Sequence, residues 1–241
     1  MQKYLYQDLY TQEDRHWWHR AKRAMVFTVA SKFLNQKIPK ILDVGCGTGK
    51  NLENLNKLGK TWGIDNSKEA IEFCKKRGLV NLKLAEAENT KLPLSYFNLI
   101  TLLDVLEHTD DNKTLAEMHR ILDRKGIIII TVPAFNWLWS NWDVVLHHKR
   151  RYTKKSLSEI LEKNNFKLIK VSYMYSFLVI PALIIRLTKS LLYKSKYPSD
   201  FKLSNPLINL ILEKVSLVEF SLTSIVSIPF GTSIIAVAKK R

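Results

Sequence analysis

The sequence predicts an α/β fold, a doubly wound and mainly parallel β-sheet. Short apolar runs recur between Ile38 and Phe166 and are nearly continuous, as in strands that are buried on both faces. Segments with helical periodicity separate these runs, and such alternation implies right-handed crossovers within one sheet. A turn rich in glycine follows the first run directly, which places a ligand at the carboxyl ends of the strands.

Each element follows from a local pattern. The predicted strands are residues 41–44, 61–64, 82–84, 99–103, 127–132, 166–175 and 233–240. Three helices are expected to begin at capping residues, which are Asn66 or Ser67, Asp110 and Thr153. One more helix follows the glycine-rich turn, carries its leucines on one face and is expected to end at Gly59.

The composition describes a globular and strongly basic protein. Its 241 residues suit one domain with a full core, and 46% hydrophobic residues exclude global disorder. Lys and Arg number 38 against 22 Asp and Glu, and the net charge of +16 indicates nucleic acid, an anionic membrane face or an anionic substrate. Two cysteines, no secretory signal and no apolar stretch of about 18 residues predict a cytoplasmic protein.

The glycine loop departs from the phosphate-binding patterns. It reads Asp43-Val44-Gly45-Cys46-Gly47-Thr48-Gly49, which fails the dinucleotide fingerprint at its third position, and no Lys-Ser/Thr pair follows. Asp43 would repel a phosphate and suits a cationic ligand. Asp65 closes the second strand, where a carboxylate either accepts hydrogen bonds from ribose hydroxyls or caps the next helix. The loop and the two acids predict a nucleoside ligand without phosphates.

This set of residues closely resembles the class I S-adenosylmethionine-dependent methyltransferases over about residues 38–175 and the last strand. Residues 43–49 match that family's first motif, and residues 103–108 match the motif beside the reactive methyl group. The resemblance implies S-adenosylmethionine as cofactor and a Rossmann-like sheet of seven strands with the last strand antiparallel. It assigns the adenine contacts to Glu86 and Ala87, although Ala85 and Glu86 depart from the family's Gly-Asp. The cofactor contacts that it implies are Asp43, Gly45, Cys46, Gly47, Gly49, Asp65, Asn66, Glu86, Ala87 and Asp104.

Methyl transfer from a sulfonium needs mainly correct positioning, and a base is required only when the nucleophile holds its proton. Candidate bases are His108, beside the methyl motif, and His147 and His148, in the loop after the fifth strand. Glu107 is a weaker candidate. We place the base at His108 or His148, and a structural role for His108 fits equally well. The sequence predicts no metal ligands.

Two segments are predicted to meet the substrate. The loop after the fifth strand interleaves charged with aromatic residues, and its paired arginines would grip a phosphate or carboxylate. An early Trp-Trp-x-Arg segment looks like the lid found in many members of the family, although its tryptophans fit a packing role equally well. The predicted substrate contacts are Trp18, Arg20, His147, Arg150, Arg151 and Tyr152.

An apolar insertion precedes the last strand. Residues 177–192 and 206–222 each present a broad apolar face, and the connector between them is basic. In the second segment a narrow polar face is predicted in addition to the apolar one. The apolar face is Ile208, Ile211, Leu212, Val215 and Leu222, and the polar face is Asn209, Glu213 and Ser216. This pattern favours a segment that binds the membrane interface or one that covers an apolar substrate. A cover for the sheet edge and a dimer interface also fit. We predict one domain composed of a helical lid (1–37), a cofactor-binding core (38–175), the insertion (176–231) and the last strand (232–241).

The early Trp-Trp and Arg, residues 148–153 and residues 229–233 are similar to a branch of methyltransferases related to the quinone-biosynthesis enzymes. That resemblance suggests a polyprenyl, lipid or lipid-linked acceptor. We predict O- or C-methylation of a small, lipid-like acceptor by in-line transfer, with peripheral contact at the inner face of the membrane. An RNA methyltransferase and a non-catalytic membrane-associated protein are the alternatives. Nucleic acid is disfavoured because no Asn-Pro-Pro-Tyr-type motif follows the fourth strand.

Overall fold

One seven-stranded sheet organises the computed structural model, which describes residues 3–34, 36–184, 205–223 and 228–241. Its strands are β1 (Lys40–Val44), β2 (Lys60–Asp65), β3 (Leu82–Leu84), β4 (Phe97–Leu103), β5 (Leu122–Pro133), β6 (Phe166–Met174) and β7 (Ser233–Lys240). They lie in the order β3-β2-β1-β4-β5-β7-β6. β7 runs antiparallel to both β5 and β6, and the other neighbouring strands are parallel. The predicted fold class is confirmed, including the antiparallel last strand.

Helices connect the strands and cover both faces of the sheet. They are α1 (Lys3–Gln12), α2 (Trp17–Phe33), α3 (Lys50–Leu55), α4 (Lys68–Lys76), α5 (Asp111–Ile121), α6 (Asn141–Val145), α7 (Lys154–Lys163) and α8 (Pro206–Leu222). Residues 179–184 are also helical up to the edge of the described range. Ser67, Asp110 and Thr153 cap α4, α5 and α7, since each side chain accepts a hydrogen bond from the N–H three residues later.

The end of α3 differs from the prediction. The helix ends at Leu55 rather than at Gly59, because a turn over residues 56–58 makes the connection to β2. Gly59 instead lets the chain pass close to Pro39, whose carbonyl oxygen would lie 2.3 Å from a Cβ placed at residue 59. The Lys60 N–H then donates to the same carbonyl at 2.9 Å, which sets β2 beside β1.

Two apolar layers enclose the sheet. Because successive strand side chains point to opposite faces, Ile128 and Ile130 of β5 pack with α5 and α7, while Ile127 and Ile129 pack with α2. Burial on both faces explains why β5 is an almost unbroken apolar run in the sequence. The carboxyl ends of β1, β2 and β4 open together onto one cavity, and this edge of the sheet positions the candidate site.

The helix α8 packs against α2 with an unexpected face. Its predicted polar face, Asn209, Glu213 and Ser216, turns toward the protein, whereas Ile211 of the predicted apolar face is exposed. The predicted apolar segment 177–192 lies partly outside the described residues, which end at 184 on that side. Of the described helices, none combines the length and the apolar content that crossing a membrane requires.

Candidate active site

The glycine loop after β1 lines a cavity of about 470 Å³. Gly45 and Gly47 adopt the left-handed region, with φ of 67° and 54°. A Cβ at Gly45 would lie 2.4 Å from a methyl carbon of Val105, so glycine allows β1 and the loop after β4 to approach each other closely. The backbone of the loop is therefore open to direct contact with a ligand.

Asp65, at the end of β2, lines the same cavity. Its carboxylate accepts hydrogen bonds from the N–H groups of Gly47 and Ser67, both at 2.9 Å. The side chain of Ser67, rather than that of Asp65, caps α4. Burial raises the pKa of Asp65. Since a carboxylate offers about four acceptor positions, this one can still receive hydroxyl groups of a ligand.

Asn66, Glu86 and Ala87 line another part of the cavity. Asn66 Nδ2 donates to Glu86 Oε2 over 3.3 Å, which holds the two polar side chains together. Ala87 is buried, whereas Glu86 is exposed at the rim. An apolar wall beside hydrogen-bonding groups is what the face and the edge of a nucleobase require.

A second cavity, of about 170 Å³, adjoins the first, and the glycine loop lines both. Its lining carries charges of both signs. The charged residues are Glu13, Lys22, Arg23, Asp43, Lys50 and Asp104. A mixture of this kind suits a ligand group that has both an ammonium and a carboxylate.

Asp43 is the acid at the carboxyl end of β1 and is only 2% exposed. Thr101 Oγ1 donates to its carboxylate over 2.5 Å. Burial raises the pKa of Asp43 to about 6. A cationic group in the second cavity would stabilise its ionised form, as the sequence prediction requires. Cys46 also lines this cavity, whereas Gly49 begins α3 and lies in the lining of neither cavity.

Lys22 ties the N-terminal helix α2 to the end of β4. Its Nζ pairs with the Asp104 carboxylate and lies 3.4 Å from the centre of the Trp18 ring. Burial lowers the pKa of Lys22. Asp104 adopts a left-handed backbone with φ of 56°, and its carboxylate also accepts a hydrogen bond from Thr131 Oγ1 at 3.0 Å. Trp18 lines both cavities, so α2 closes one side of the site.

Four histidines line the main cavity, namely His19 of α2 and, on the opposite loops, His108, His147 and His148. The rings of His108 and His148 lie 4.8 Å apart, and His148 Nε2 lies 4.0 Å from Glu107 Oε1. Glu107 is fully buried, and neither of its carboxylate oxygens has a hydrogen-bond partner among the described residues. Burial, and then the charge of Asp104, raises the pKa of Glu107 well above its usual range. Burial also lowers the pKa of His108 to about 4, so its ring is neutral near pH 7.

The buried acid Asp143 orients His148. Its Oδ1 lies 2.8 Å from His148 Nδ1, and Arg151 donates to both of its oxygens, at 2.8 and 3.0 Å. Burial alone would raise the pKa of Asp143, but hydrogen bonds from His148 and Arg151 hold it well below its usual range. An ionised Asp143 fixes the proton of His148 on Nδ1, which leaves Nε2 free on the side of Glu107 and the cavity.

The groups around Glu107 have a second chemical capacity. One ligand atom from each of Glu107, His108 and His148 lies within 4.8 Å of the others. A carboxylate and two imidazoles are a ligand set that suits a divalent cation such as Zn²⁺. The same cluster can therefore move a proton or hold a cation.

Four predicted substrate contacts do not reach the lining of the main cavity, and each is held by an acid. They are Arg20, Arg150, Arg151 and Tyr152. Arg151 binds Asp143, and Arg20 pairs with Glu213 of α8 at 3.2 Å. Arg150 pairs with Asp111, and the buried Tyr152 hydroxyl donates to the same acid at 3.1 Å. In the structure these acids hold the four side chains outside the lining of the main cavity, and their contact with a substrate stays a prediction.

Sequence reasoning missed several residues that the structure brings to the site, among them Lys22 and Asp143. Lys22 follows Trp18 by four residues, a spacing that places both on one face of α2. Asp143 follows Ser140 by three residues and forms a capping box at the start of α6. Both local signals were available in the sequence, although neither reveals the distant partner of the side chain.

Comparison with known proteins agrees with this geometry. A family model described as "Methyltransferase domain" matches residues 42–130. The ubiquinone biosynthesis O-methyltransferase of Pelagibacter ubique is 30% identical over 168 residues, which cover 61% of this chain and 70% of that protein. A tRNA (guanine-N(7)-)-methyltransferase of Prochlorococcus marinus is 31% identical over 133 residues, which cover 55% of this chain and 54% of that protein.

Solved structures match the fold at low identity. A SAM dependent methyltransferase from Archaeoglobus fulgidus matches with a TM-score of 0.58 and 22% identity, covering 90% of this chain and 94% of the other. A geranyl diphosphate C-methyltransferase from Streptomyces coelicolor, solved with S-adenosyl-L-homocysteine, matches with a TM-score of 0.61 and 12% identity, covering 90% and 79%. The chain belongs to the class I S-adenosylmethionine-dependent methyltransferases. Within that class it is related to the quinone-biosynthesis O-methyltransferases. It is therefore an enzyme that uses S-adenosylmethionine, and the non-catalytic alternative is set aside.

Proposed function

We propose that this enzyme methylates a hydroxyl oxygen of a small, lipid-like or lipid-linked acceptor. The observation that carries the proposal is the Asp143–His148 pair, which holds one imidazole nitrogen toward the cavity beside Glu107. A hydroxyl keeps its proton at neutral pH and needs such a base before it attacks. The identity to a ubiquinone biosynthesis O-methyltransferase supports O-methylation over C-methylation.

The residues present fit the cofactor. We place the nucleoside in the main cavity, where Asp65 would accept the ribose hydroxyls and Glu86 the adenine amino group, with Ala87 against the ring. The amino acid end would enter the second cavity, its ammonium toward Asp43 and its carboxylate toward Arg23. When bound, S-adenosylmethionine supplies a methyl group on a positively charged sulfur that leaves as a neutral sulfide.

His148 would act as the base in this arrangement. Its Nε2 takes the hydroxyl proton of the acceptor, while ionised Asp143 holds Nδ1–H and stabilises the imidazolium that forms. The freed oxygen electron pair forms the bond to the methyl carbon as the carbon–sulfur pair returns to sulfur. His108, neutral near pH 7, adds no positive charge beside the base and is the second candidate for the same proton.

A chelator separates a free base from a metal-assisted reaction. If His148 acts as a free base, we expect ethylenediaminetetraacetate to leave turnover unchanged within about twofold. Turnover that falls about a hundredfold or more and returns on addition of Zn²⁺ or Mg²⁺ would assign Glu107, His108 and His148 to a cation. Cofactor affinity, measured by calorimetry with and without the chelator, is the control.

Exposed apolar residues in the loop after β5 support a lipid-like acceptor. Trp137 and Val144 are 52% and 58% exposed, and both lie in the segment that continues into His147 and His148. Large apolar side chains exposed at the mouth of a site mark a binding surface for an apolar partner. We also propose that the enzyme works as a peripheral protein at the inner face of the membrane, where such acceptors reside.

An RNA acceptor is the second candidate function. It is favoured by the net charge of +16 and by the identity to a tRNA (guanine-N(7)-)-methyltransferase. Tight binding to tRNA that weakens steeply with added salt would support it. The Asp143–His148 pair favours a hydroxyl over a base nitrogen, so we rank RNA second.

Fractionation of the methylated product tests the proposal. The enzyme is incubated with S-adenosylmethionine labelled in the methyl group, together with either a membrane lipid extract or total RNA. We expect label in the organic phase of the lipid reaction and none in the RNA. A reaction that lacks the enzyme is the negative control. Label confined to RNA would overturn the lipid-like acceptor.

A further inference from the structure

The face of α8 that meets the protein is partly polar: Leu212, Leu217 and Phe220 pack against the core, and polar residues lie beside them. Its polar residues face the protein: Asn209 accepts a hydrogen bond from the Trp17 N–H and donates to the Arg15 carbonyl, both at 3.2 Å. Glu213 pairs with Arg20, and Ser216 is fully buried. A surface helix normally turns its apolar stripe inward and its polar face to water. Here the polar stripe holds the helix in place.

The outward face of α8 is apolar. Its exposed apolar residues are Leu207, Ile208, Leu210, Ile211, Val215, Val218 and Leu222. They cover about four turns of one helix and therefore adjoin one another. Single exposed apolar residues are ordinary, but a contiguous patch marks a surface that contacts an apolar partner.

The charges of α8 have one sign on the outward side. Both of its carboxylates are engaged with the protein, since Glu213 pairs with Arg20 and Glu219 accepts the Ser176 N–H at 2.8 Å. Lys214 is the one charged residue of α8 that is exposed. An apolar face that carries a cation and no free acid is attracted to an anionic surface rather than to a neutral or basic one.

A polar groove adjoins the apolar face. It lies between α2, α3 and α8, has a volume of about 450 Å³ and includes Glu213 of α8 in its lining. Four basic and two acidic side chains line it, namely Arg20, Arg23, Lys50, Lys57, Glu53 and Glu213. Arg20 already pairs with Glu213, and both Arg23 and Lys50 pair with Asp14. Among the described residues, the ammonium of Lys57 is therefore the charge that the groove offers to phosphate oxygens. The apolar face therefore matches the acyl chains of a lipid, and the neighbouring groove matches its phosphate headgroup.

We propose that the outward face of α8 docks on an anionic phospholipid bilayer and that the groove receives the headgroup phosphates. The inference rests on the proposed function, because it presents the site to an acceptor that resides in the same membrane. Acyl chains cover the apolar residues, and the phosphates approach the ammonium of Lys57 in the groove. Docking itself needs neither the cofactor nor the acceptor.

Vesicle sedimentation tests the apolar face. The full chain is mixed, without cofactor, with phosphatidylcholine vesicles that contain or lack phosphatidylglycerol, and we expect strong binding only to the anionic vesicles. Val218→Asp should lower the partition coefficient about tenfold or more, because it removes an exposed apolar group that the bilayer would cover and adds a negative charge that anionic headgroups repel. Val80→Asp is the matched control, since Val80 is 72% exposed and lies beyond the end of α4. We expect this control to bind as the wild type does.

Charge removal tests the groove. Lys57→Gln should lower the partition coefficient for anionic vesicles about fivefold, the effect of about one lysine at an anionic leaflet. Lys155→Gln, at a side chain that is 86% exposed on α7, should leave binding unchanged. Equal effects of the two substitutions would show that net charge, and not the groove, attracts the vesicle.

Three outcomes would overturn the docking surface. Equal binding by Val218→Asp and Val80→Asp would remove the face from the interaction. In the second outcome, the wild type fails to bind vesicles and sediments as a dimer, whereas Val218→Asp sediments as a monomer. That result would assign the face to a second copy of the chain. Binding to tRNA in place of vesicles would assign the charge to nucleic acid. If only the docking proposal is wrong, the wild type and each variant still bind S-adenosylmethionine. A wild type that does not bind S-adenosylmethionine would contradict the proposed function.

Discussion

Two loops at the carboxyl edge of the sheet each depend on a buried aspartate, yet the two acids are prepared for different tasks. Asp65 holds the glycine loop through backbone N–H groups, and burial raises its pKa. Asp143 holds the loop after β5 through His148 and Arg151, and these partners keep its pKa well below the usual range. The backbone N–H donors leave Asp65 able to accept further hydrogen bonds from hydroxyl groups. The guanidinium of Arg151 keeps Asp143 ionised. The difference is the one expected between a carboxylate proposed to bind ribose and a carboxylate proposed to orient a base.

The largest effect should come from the acid that orients the base. Asp143→Asn replaces a charged partner of His148 with a neutral one and favours the wrong proton position on its ring. We expect kcat for methyl transfer to fall about 10²–10⁴-fold, with cofactor affinity within about twofold of the wild type.

Steady-state kinetics and calorimetric titration with S-adenosylmethionine check this pair of outcomes. Asp123→Asn, at an acid remote from the cavities, is the control. A loss of cofactor affinity equal to the loss of kcat would erase the distinction between the two loops. Urea unfolding of the variant shows whether a structural collapse contributes.

The pH dependence of stability should run in opposite directions for the two kinds of acid. Asp43, like Asp65, is a buried acid whose pKa is raised by burial. Its folded pKa of about 6 lies above the unfolded value, so its contribution to wild-type stability falls as pH rises from about 4 to about 7. Asp43→Asn should therefore gain up to about 3 kcal/mol on the wild type over that range. The contribution of Asp143 is present above its unfolded pKa of about 4 and is lost as pH falls toward its lower folded value.

Urea unfolding of Asp43→Asn, Asp143→Asn and the wild type at several pH values measures both directions. Parallel pH curves for the two variants would mean that the two environments do not differ. Saturating S-adenosylmethionine should shrink the difference between Asp43→Asn and the wild type near pH 7, because its ammonium would stabilise the ionised Asp43.

The smallest effect should come from the ribose contact. Asp65→Asn keeps the shape of the side chain but loses charge-assisted hydrogen bonds to the ribose hydroxyls, so we expect cofactor affinity to fall about 10–100-fold. At saturating cofactor, kcat should stay within about threefold of the wild type. Calorimetry and initial rates measure the two quantities. A variant that binds the cofactor normally would leave Asp65 with only its role in holding Gly47.

The sequence predicted the fold, and it predicted that most of the proposed cofactor contacts line two adjoining cavities, because both depend on short-range patterns. Buried parallel strands are continuous apolar runs, and the glycine loop with Asp65 lies within about twenty residues of chain. The caps of α4, α5 and α7 are equally local. Gly59 failed as a helix end because its role is a close approach to Pro39, twenty residues away in the chain.

The other half of the site depends on contacts that periodicity does not encode. Arg150 and Arg151 resemble ligand-binding residues in the sequence, but Arg150 pairs with Asp111 of α5 and Arg151 with Asp143 of its own loop. In α8, spacing identified which residues share a face but not which face the protein covers. That choice is made by Asn209 and Glu213, whose partners lie on the lid nearly two hundred residues earlier. Polar pairs between distant parts of the chain therefore determine which face of α8 is covered, which the local sequence pattern does not specify.

The most direct test of the account is methyl transfer to a membrane lipid extract by the wild type, His148→Gln and His108→Gln, assayed together with methyl-labelled S-adenosylmethionine. We predict label in the organic phase for the wild type, a rate at least about a hundredfold lower for His148→Gln, and a smaller loss for His108→Gln, with unchanged cofactor affinity in both variants. Wild-type rates in His148→Gln, or label that appears only when RNA is supplied, would contradict a base-assisted methylation of a lipid-like hydroxyl.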